Sequence, residues 1–164
     1  METKLAELFA LFRRKDRRAL SQLLTLAARG VAVAELRREL AAHAPSGRAV
    51  AFSGSGGVGK STLIGRLVEL LRQQGEQVAV LCCDPESPLT GGALLGDRVR
   101  ISRSAEDPGV FIRSLATPGG RQAIAPNLEA MIDLLRAFGF QTVLVETVGA
   151  GQGDTAVQIG RAHV

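Results

Sequence analysis

Apolar positions along this chain change their period near residue 47. Before it they recur every three or four residues: Leu5, Leu8, Phe9 and Phe12, then Leu20, Leu23, Leu24 and Ala27, then a weaker stripe of Val33, Leu36 and Leu40. That spacing predicts three amphipathic helices, the second ended by Gly30 and the third broken by Pro45-Ser46-Gly47. These stripes read as core packing and carry no chemistry of their own. Beyond residue 47, short apolar runs alternate with helical stripes. Arg48-Ala-Val-Ala-Phe-Ser53 suits a buried parallel strand. Leu63, Ile64, Leu67, Leu70 and Leu71 mark a helix that Gln73-Gln74-Gly75 stops. Gln77-Val-Ala-Val-Leu-Cys-Cys83 is a second buried strand, ending in Asp84-Pro85, and Val110 to Leu115 a third. Asn127 opens a helix through Leu128, Met131, Ile132, Leu135 and Phe138, capped by Gly139. Thr142-Val-Leu-Val-Glu146 is the last strand.

Strands alternating with helices predict an α/β fold with a mainly parallel sheet and ligands at its C-terminal edge. The expected division is a helical N-terminal region over 1–46 and an α/β domain over 47–164. Between the second and third strands, residues 85–109 are rich in Pro, Gly and Ser and read as a long loop with a helical turn or two. A loop of that length inside a compact domain is usually functional.

Composition narrows the classes without choosing one. A hydrophobic fraction of 46% and a charged fraction of 22% over 164 residues describe an ordinary globular protein. No stretch reaches the ~18 uninterrupted apolar residues of a membrane span, and Glu2, Lys4 and Glu7 stand where a signal peptide would be apolar, so a cytoplasmic protein is expected. Cys82 and Cys83 are adjacent in a predicted strand and point to opposite faces, which excludes a disulfide between them and leaves buried packing. The net charge of +4 is weighted towards Arg13-Arg14-Lys15 and Arg17-Arg18. With no Tyr or Trp to stack on bases and no accompanying motif, this cluster reads as a solvated helix end or a face for an acidic protein partner, not a nucleic-acid surface.

The clearest chemistry lies between the first strand and the first helical stripe of this half. Gly54-Ser-Gly-Gly-Val-Gly-Lys-Ser-Thr62 fits the phosphate-loop pattern G-x-x-x-x-G-K-[ST] between a strand and a helix, the context the motif requires. Glycines let successive N–H groups turn inward on a phosphate, and the helix adds its positive end. Lys60 reaches β/γ oxygens and Ser61 offers a hydroxyl to Mg²⁺. Mg²⁺ held this way needs one or two carboxylates as well. Asp84, Asp97 and Glu146 are the candidates, each otherwise a helix cap or a surface charge. Gly149, in the Gly-rich loop after Glu146, is placed to offer its N–H to a γ-phosphate.

Three segments carry a family resemblance: Asp84-Pro-Glu-Ser-Pro-Leu-Thr-Gly-Gly-Ala-Leu-Leu-Gly-Asp-Arg-Val-Arg100, Phe111-Ile-Arg-Ser114, and Glu146-Thr-Val-Gly-Ala-Gly-Gln152. From about residue 48 to the end the chain resembles the MeaB/ArgK/MMAA family of P-loop GTPases. The resemblance implies a three-layer P-loop NTPase fold, GTP and Mg²⁺ as ligands, and Mg-dependent hydrolysis with Lys60, Glu146 and Asp97 in catalysis. It implies Gly54, Ser55, Gly56, Gly57, Val58, Gly59, Lys60, Ser61, Thr62 and Gly149 around the nucleotide, and Ser61, Asp84, Asp97 and Glu146 around the metal. It also implies a partner, an adenosylcobalamin-dependent acyl-CoA mutase such as methylmalonyl-CoA mutase, for which family members act as chaperones. The Asn-Lys-x-Asp loop that reads guanine is absent from the sequence, so a truncated chain is expected, with homodimerisation confined to a full-length form. Two alternatives stand beside this reading: a P-loop kinase of a small molecule, like the lysine/arginine/ornithine transport kinases of older usage, and a nucleotide-binding fragment without activity.

Overall fold

The computed structural model describes residues 2–41, 46–85, 107–117 and 127–147. They form two compact units, one of helices and one built on a sheet.

The helical unit contains α1 (Glu2–Arg13), α2 (Arg17–Ala28), α3 (Val33–Ala41) and α5 (Leu128–Phe138). The second N-terminal stripe is buried whole, as Leu20, Leu23, Leu24 and Ala27, while the first buries Leu8, Phe9 and Phe12 and the third Leu36 and Leu40, with Leu5 and Val33 at their margins only partly buried. Asp16 caps α2 by accepting the Ala19 N–H at 2.8 Å. The Phe12 and Phe138 rings pack 5.3 Å apart between centroids. Part of the basic cluster has structural work. Arg13 pairs with Glu39 at 2.7 Å, and the Lys15 ammonium donates to the Phe138 carbonyl at the negative end of α5. Asn127 opens α5 as its N-cap residue but makes no side-chain cap bond; its Nδ2 donates instead to the Ala27 carbonyl at the end of α2, 3.1 Å away.

The sheet unit holds β1 (Arg48–Phe52), α4 (Lys60–Gln73), β2 (Val78–Pro85), β3 (Val110–Thr117) and β4 (Thr142–Glu146). Its strands lie in the order β1-β4-β2-β3, all parallel. β4 is central and all five of its residues are buried, which is why its interior is Val-Leu-Val. β1 departs from the expected buried strand. It has one neighbour among the described residues, and Val50 is 38% exposed. Helix α4 also differs in detail from its apolar stripe. Ile64, Val68 and Leu71 form the buried line against Val80, Cys82 and Leu144, with Leu67 partly buried, whereas Leu63 and Leu70 are exposed. Residues 64, 68 and 71 share one face at i, i+4, i+7, and the flanking leucines turn off it. Cys82 and Cys83 are buried and not joined by a disulfide. No described helix is long and apolar enough to cross a membrane.

At the end of the sheet away from the strands' carboxyl termini, the chain is clamped. Arg72 donates to both Asp107 oxygens at 2.9 Å and to the Glu76 carbonyl at 2.6 Å. Arg48 and Thr142 each donate to the Glu76 carboxylate at 2.6 Å.

Candidate functional site

The site is built by register. β1 pairs with β4 so that Phe52 stands opposite Glu146, and β2 pairs with β4 so that Cys82 does. The carboxyl ends of β1 and β4 therefore finish side by side, with the glycine-rich loop leaving from one and Glu146 standing on the other. Ligands of open parallel sheets bind in this position.

Within the loop, Gly54, Gly57 and Gly59 take φ values of 150°, 78° and 95°, and Gly59 in the left-handed region directly precedes α4. Side chains avoid that conformation. Crowding plays no part at three of the loop's glycines, since a Cβ added at Gly56, Gly57 or Gly59 would meet nothing within 4 Å. These loop positions stand open beside the N-terminus of α4, where the helix dipole favours an anion. The Lys60 ammonium folds back across the loop and donates to the carbonyls of Gly54 at 2.8 Å and Ser55 at 3.0 Å.

Ser61, on the first turn of α4, donates its hydroxyl proton to Glu146 Oε1 at 2.7 Å. Both residues are buried, at 7% and 5% exposure. A hydroxyl and a carboxylate separated by 85 positions in sequence are thereby joined at the foot of the loop. Among the described residues no group of three or more His, Cys, Asp or Glu side chains is placed to hold a metal ion. The two protein oxygens brought together here are those of Ser61 and Glu146.

The other expected residues divide by position. The backbone of Asp84 continues β2 two residues past Cys82, opposite Ala116 of β3; its side chain, together with Asp97 and Gly149, lies outside the described residues. One residue that the sequence did not single out belongs to the same corner. Thr147, 2% exposed, donates its N–H at 3.1 Å and its hydroxyl at 3.3 Å to the Phe52 carbonyl. Its place directly after Glu146, at the end of a buried strand, was the available signal.

A glycine loop between β1 and α4, its Lys-Ser pair, and an acidic strand end beside it define a P-loop nucleotide-binding protein of the α/β class. A family model described as Methylmalonyl Co-A mutase-associated GTPase MeaB matches residues 20–163. The chain belongs to that family. A Pyrococcus abyssi protein named as a candidate GTPase is 43% identical over 152 residues, which is 92% of this chain and 47% of the relative. A fused isobutyryl-CoA mutase from Cupriavidus metallidurans is 40% identical over 147 residues, covering 87% of this chain and 13% of that protein. A crystal structure of a LAO/AO transport system kinase matches the fold with a TM-score of 0.66 and 26% identity, over 93% of this chain and 45% of the other. The chain spans about half the length of the Pyrococcus relatives it matches.

Proposed function

We propose that this chain, within a longer protein, binds GTP with Mg²⁺ at the loop over 54–62, hydrolyses it, and thereby regulates an adenosylcobalamin-dependent acyl-CoA mutase, of which methylmalonyl-CoA mutase is the first choice. The observation that carries the reading is the buried Ser61–Glu146 hydrogen bond beneath an open glycine loop. The donor set fits Mg²⁺, a hard cation that takes oxygen ligands and completes its shell with phosphate oxygens and water. Ser61 donates its proton to Glu146, which leaves its lone pairs available to a cation, and the carboxylate supplies the balancing charge. Ser61 and Glu146 would hold Mg²⁺ there, and the ion would supply positive charge to offset the negative charge that develops on the phosphates.

The chain's own groups do the remainder. Lys60 exchanges the Gly54 and Ser55 carbonyls for phosphate oxygens, while N–H groups of Ser55 to Thr62 and the α4 N-terminus line the anion. Lys60 then stabilises the transferring phosphoryl group electrostatically. Asp84 and Asp97 are proposed as further carboxylates around the metal, Asp97 also in catalysis, and Gly149 as a γ-phosphate contact. GTP over ATP follows from family membership. The mutase partner is supported by the family's description and by the relative in which a mutase is fused. Dimerisation is proposed for the full-length protein only, and the cytoplasm as its location. The small-molecule kinase reading is not favoured: it rests on the structural neighbour's title, while the family model and the Pyrococcus relative are named for GTPases.

The test uses the full-length protein. Lys60→Ala is expected to slow GTP hydrolysis on the order of a hundredfold, the usual cost of losing a transition-state donor, and unchanged turnover would end the phosphate-cradle assignment. Titration with methylmalonyl-CoA mutase, with and without a non-hydrolysable GTP analogue, should give two affinities, because coupling between nucleotide and partner is reciprocal. Equal affinities would show the partner to be wrong.

A further inference from the structure

Two consecutive residues of one strand end grip the phosphate loop at both of its ends. Glu146 accepts the Ser61 hydroxyl at 2.7 Å, on the first turn of α4. Thr147 donates twice to the Phe52 carbonyl, the last of β1 and the root of the loop. Between these two anchors the loop has little to hold its shape. Its glycines at 56, 57 and 59 have open space around them, and its cross-loop bonds in the structure come from the Lys60 ammonium, a group that a bound phosphate would draw away.

We propose that Thr147 is a positioning residue: with Glu146 it fixes the span between the end of β1 and the start of α4, and so the aim of the loop's N–H groups. The inference rests on the phosphate-binding reading of that loop. The physical reason is the register. Phe52 stands opposite Glu146, so the two strands end level, and Thr147, the residue after β4, bonds back to the carbonyl from which the loop departs. The carbonyl of Phe52 has two lone pairs, and Thr147 fills both, one with its backbone and one with its side chain. Removing the hydroxyl leaves the backbone bond and the strand in place, so the variant should loosen the loop without unfolding the sheet.

Thr147→Val removes the hydroxyl at nearly constant shape, and Thr147→Ser restores it. The first readout is amide hydrogen exchange of the nucleotide-free, full-length protein, which reports local opening directly. Exchange in the peptide covering 53–60 is expected to quicken about fivefold in Thr147→Val, the size of one net hydrogen bond. Thr147→Ser should stay within about twofold of wild type by the same measure, and the peptide covering 65–73 should not change in either variant. The second readout is kinetic: Thr147→Val should raise KM for GTP by a similar factor at unchanged kcat, since an aligned loop serves ground state and transition state alike. Wild-type exchange in Thr147→Val, or failure of serine to restore it, would overturn the proposal. If the wild-type protein neither binds nor hydrolyses GTP, the phosphate reading falls, and the exchange experiment still decides whether Thr147 positions the loop.

Discussion

Gly109 precedes β3 and lies against the Arg72 guanidinium so closely that a Cβ there would stand 2.1 Å from Cζ, 2.3 Å from Nη2 and 2.4 Å from Nη1. Gly109→Ala must therefore displace the guanidinium. An arginine tip can swing away at little steric cost, so the penalty is the clamp it leaves: two charge-assisted bonds to Asp107 and one to the Glu76 carbonyl. The Asp107 carboxylate also holds the guanidinium pKa above its ordinary value, chiefly through the hydrogen bond. Both partners are partly exposed, at 24% and 32%, so the clamp contributes about 2 kcal/mol, between a surface pair and a buried one. Gly109 lies outside the left-handed region, so alanine should itself return about 0.5 kcal/mol by restricting the unfolded chain. The net cost of Gly109→Ala is then about 1.5 kcal/mol, or roughly 3–6 °C in melting temperature for a chain of this size. In an Arg72→Ala background the clamp is already gone, and the same substitution should stabilise by about 0.5 kcal/mol. Thermal or urea unfolding of wild type, both single variants and the double variant measures the cycle. An equal cost of Gly109→Ala in both backgrounds would refute the clamp.

Two further perturbations address the site and the base of the sheet. Ser61→Ala and Glu146→Gln should each raise the Mg²⁺ concentration needed for half-maximal hydrolysis about tenfold or more, and the double variant should cost less than the product because the two groups act as a unit; superimposable Mg²⁺ titrations would remove both from the metal site. The Glu76 carboxyl is held below its ordinary value of 4.5, first by the Thr142 hydroxyl and then by Arg48. The folded state thus binds this proton less tightly than the unfolded state, so the contribution is fully present above about pH 4.5 and fades as pH falls through the folded-state value. The gap in melting temperature between wild type and Glu76→Gln should therefore narrow below that pH, and a gap constant from pH 7 to 3 would contradict it.

The sequence alone determined the elements and the phosphate loop, because both are local. Helical stripes such as Leu20-Leu23-Leu24-Ala27 need only a 3.6-residue period to be seen, and Gly54 to Ser61 lie within one turn of chain whose backbone requirement glycine meets by itself. Glu146 was legible as an acid at the end of an apolar strand. Whether it meets the loop was not, because nothing in the local pattern says that the fourth strand inserts beside the first; that order is a property of the whole sheet. Tertiary structure decided three things for this reason. It placed Glu146 against Ser61 by parallel register, gave Thr147 its two bonds to Phe52, and turned Leu63 and Leu70 off the buried face while choosing Val68, since a helix's apolar residues outnumber those one sheet contact can cover. The role of Lys15 at the end of α5 was equally hidden: a charge run shows its sign in sequence, and only packing reveals which carbonyl it faces.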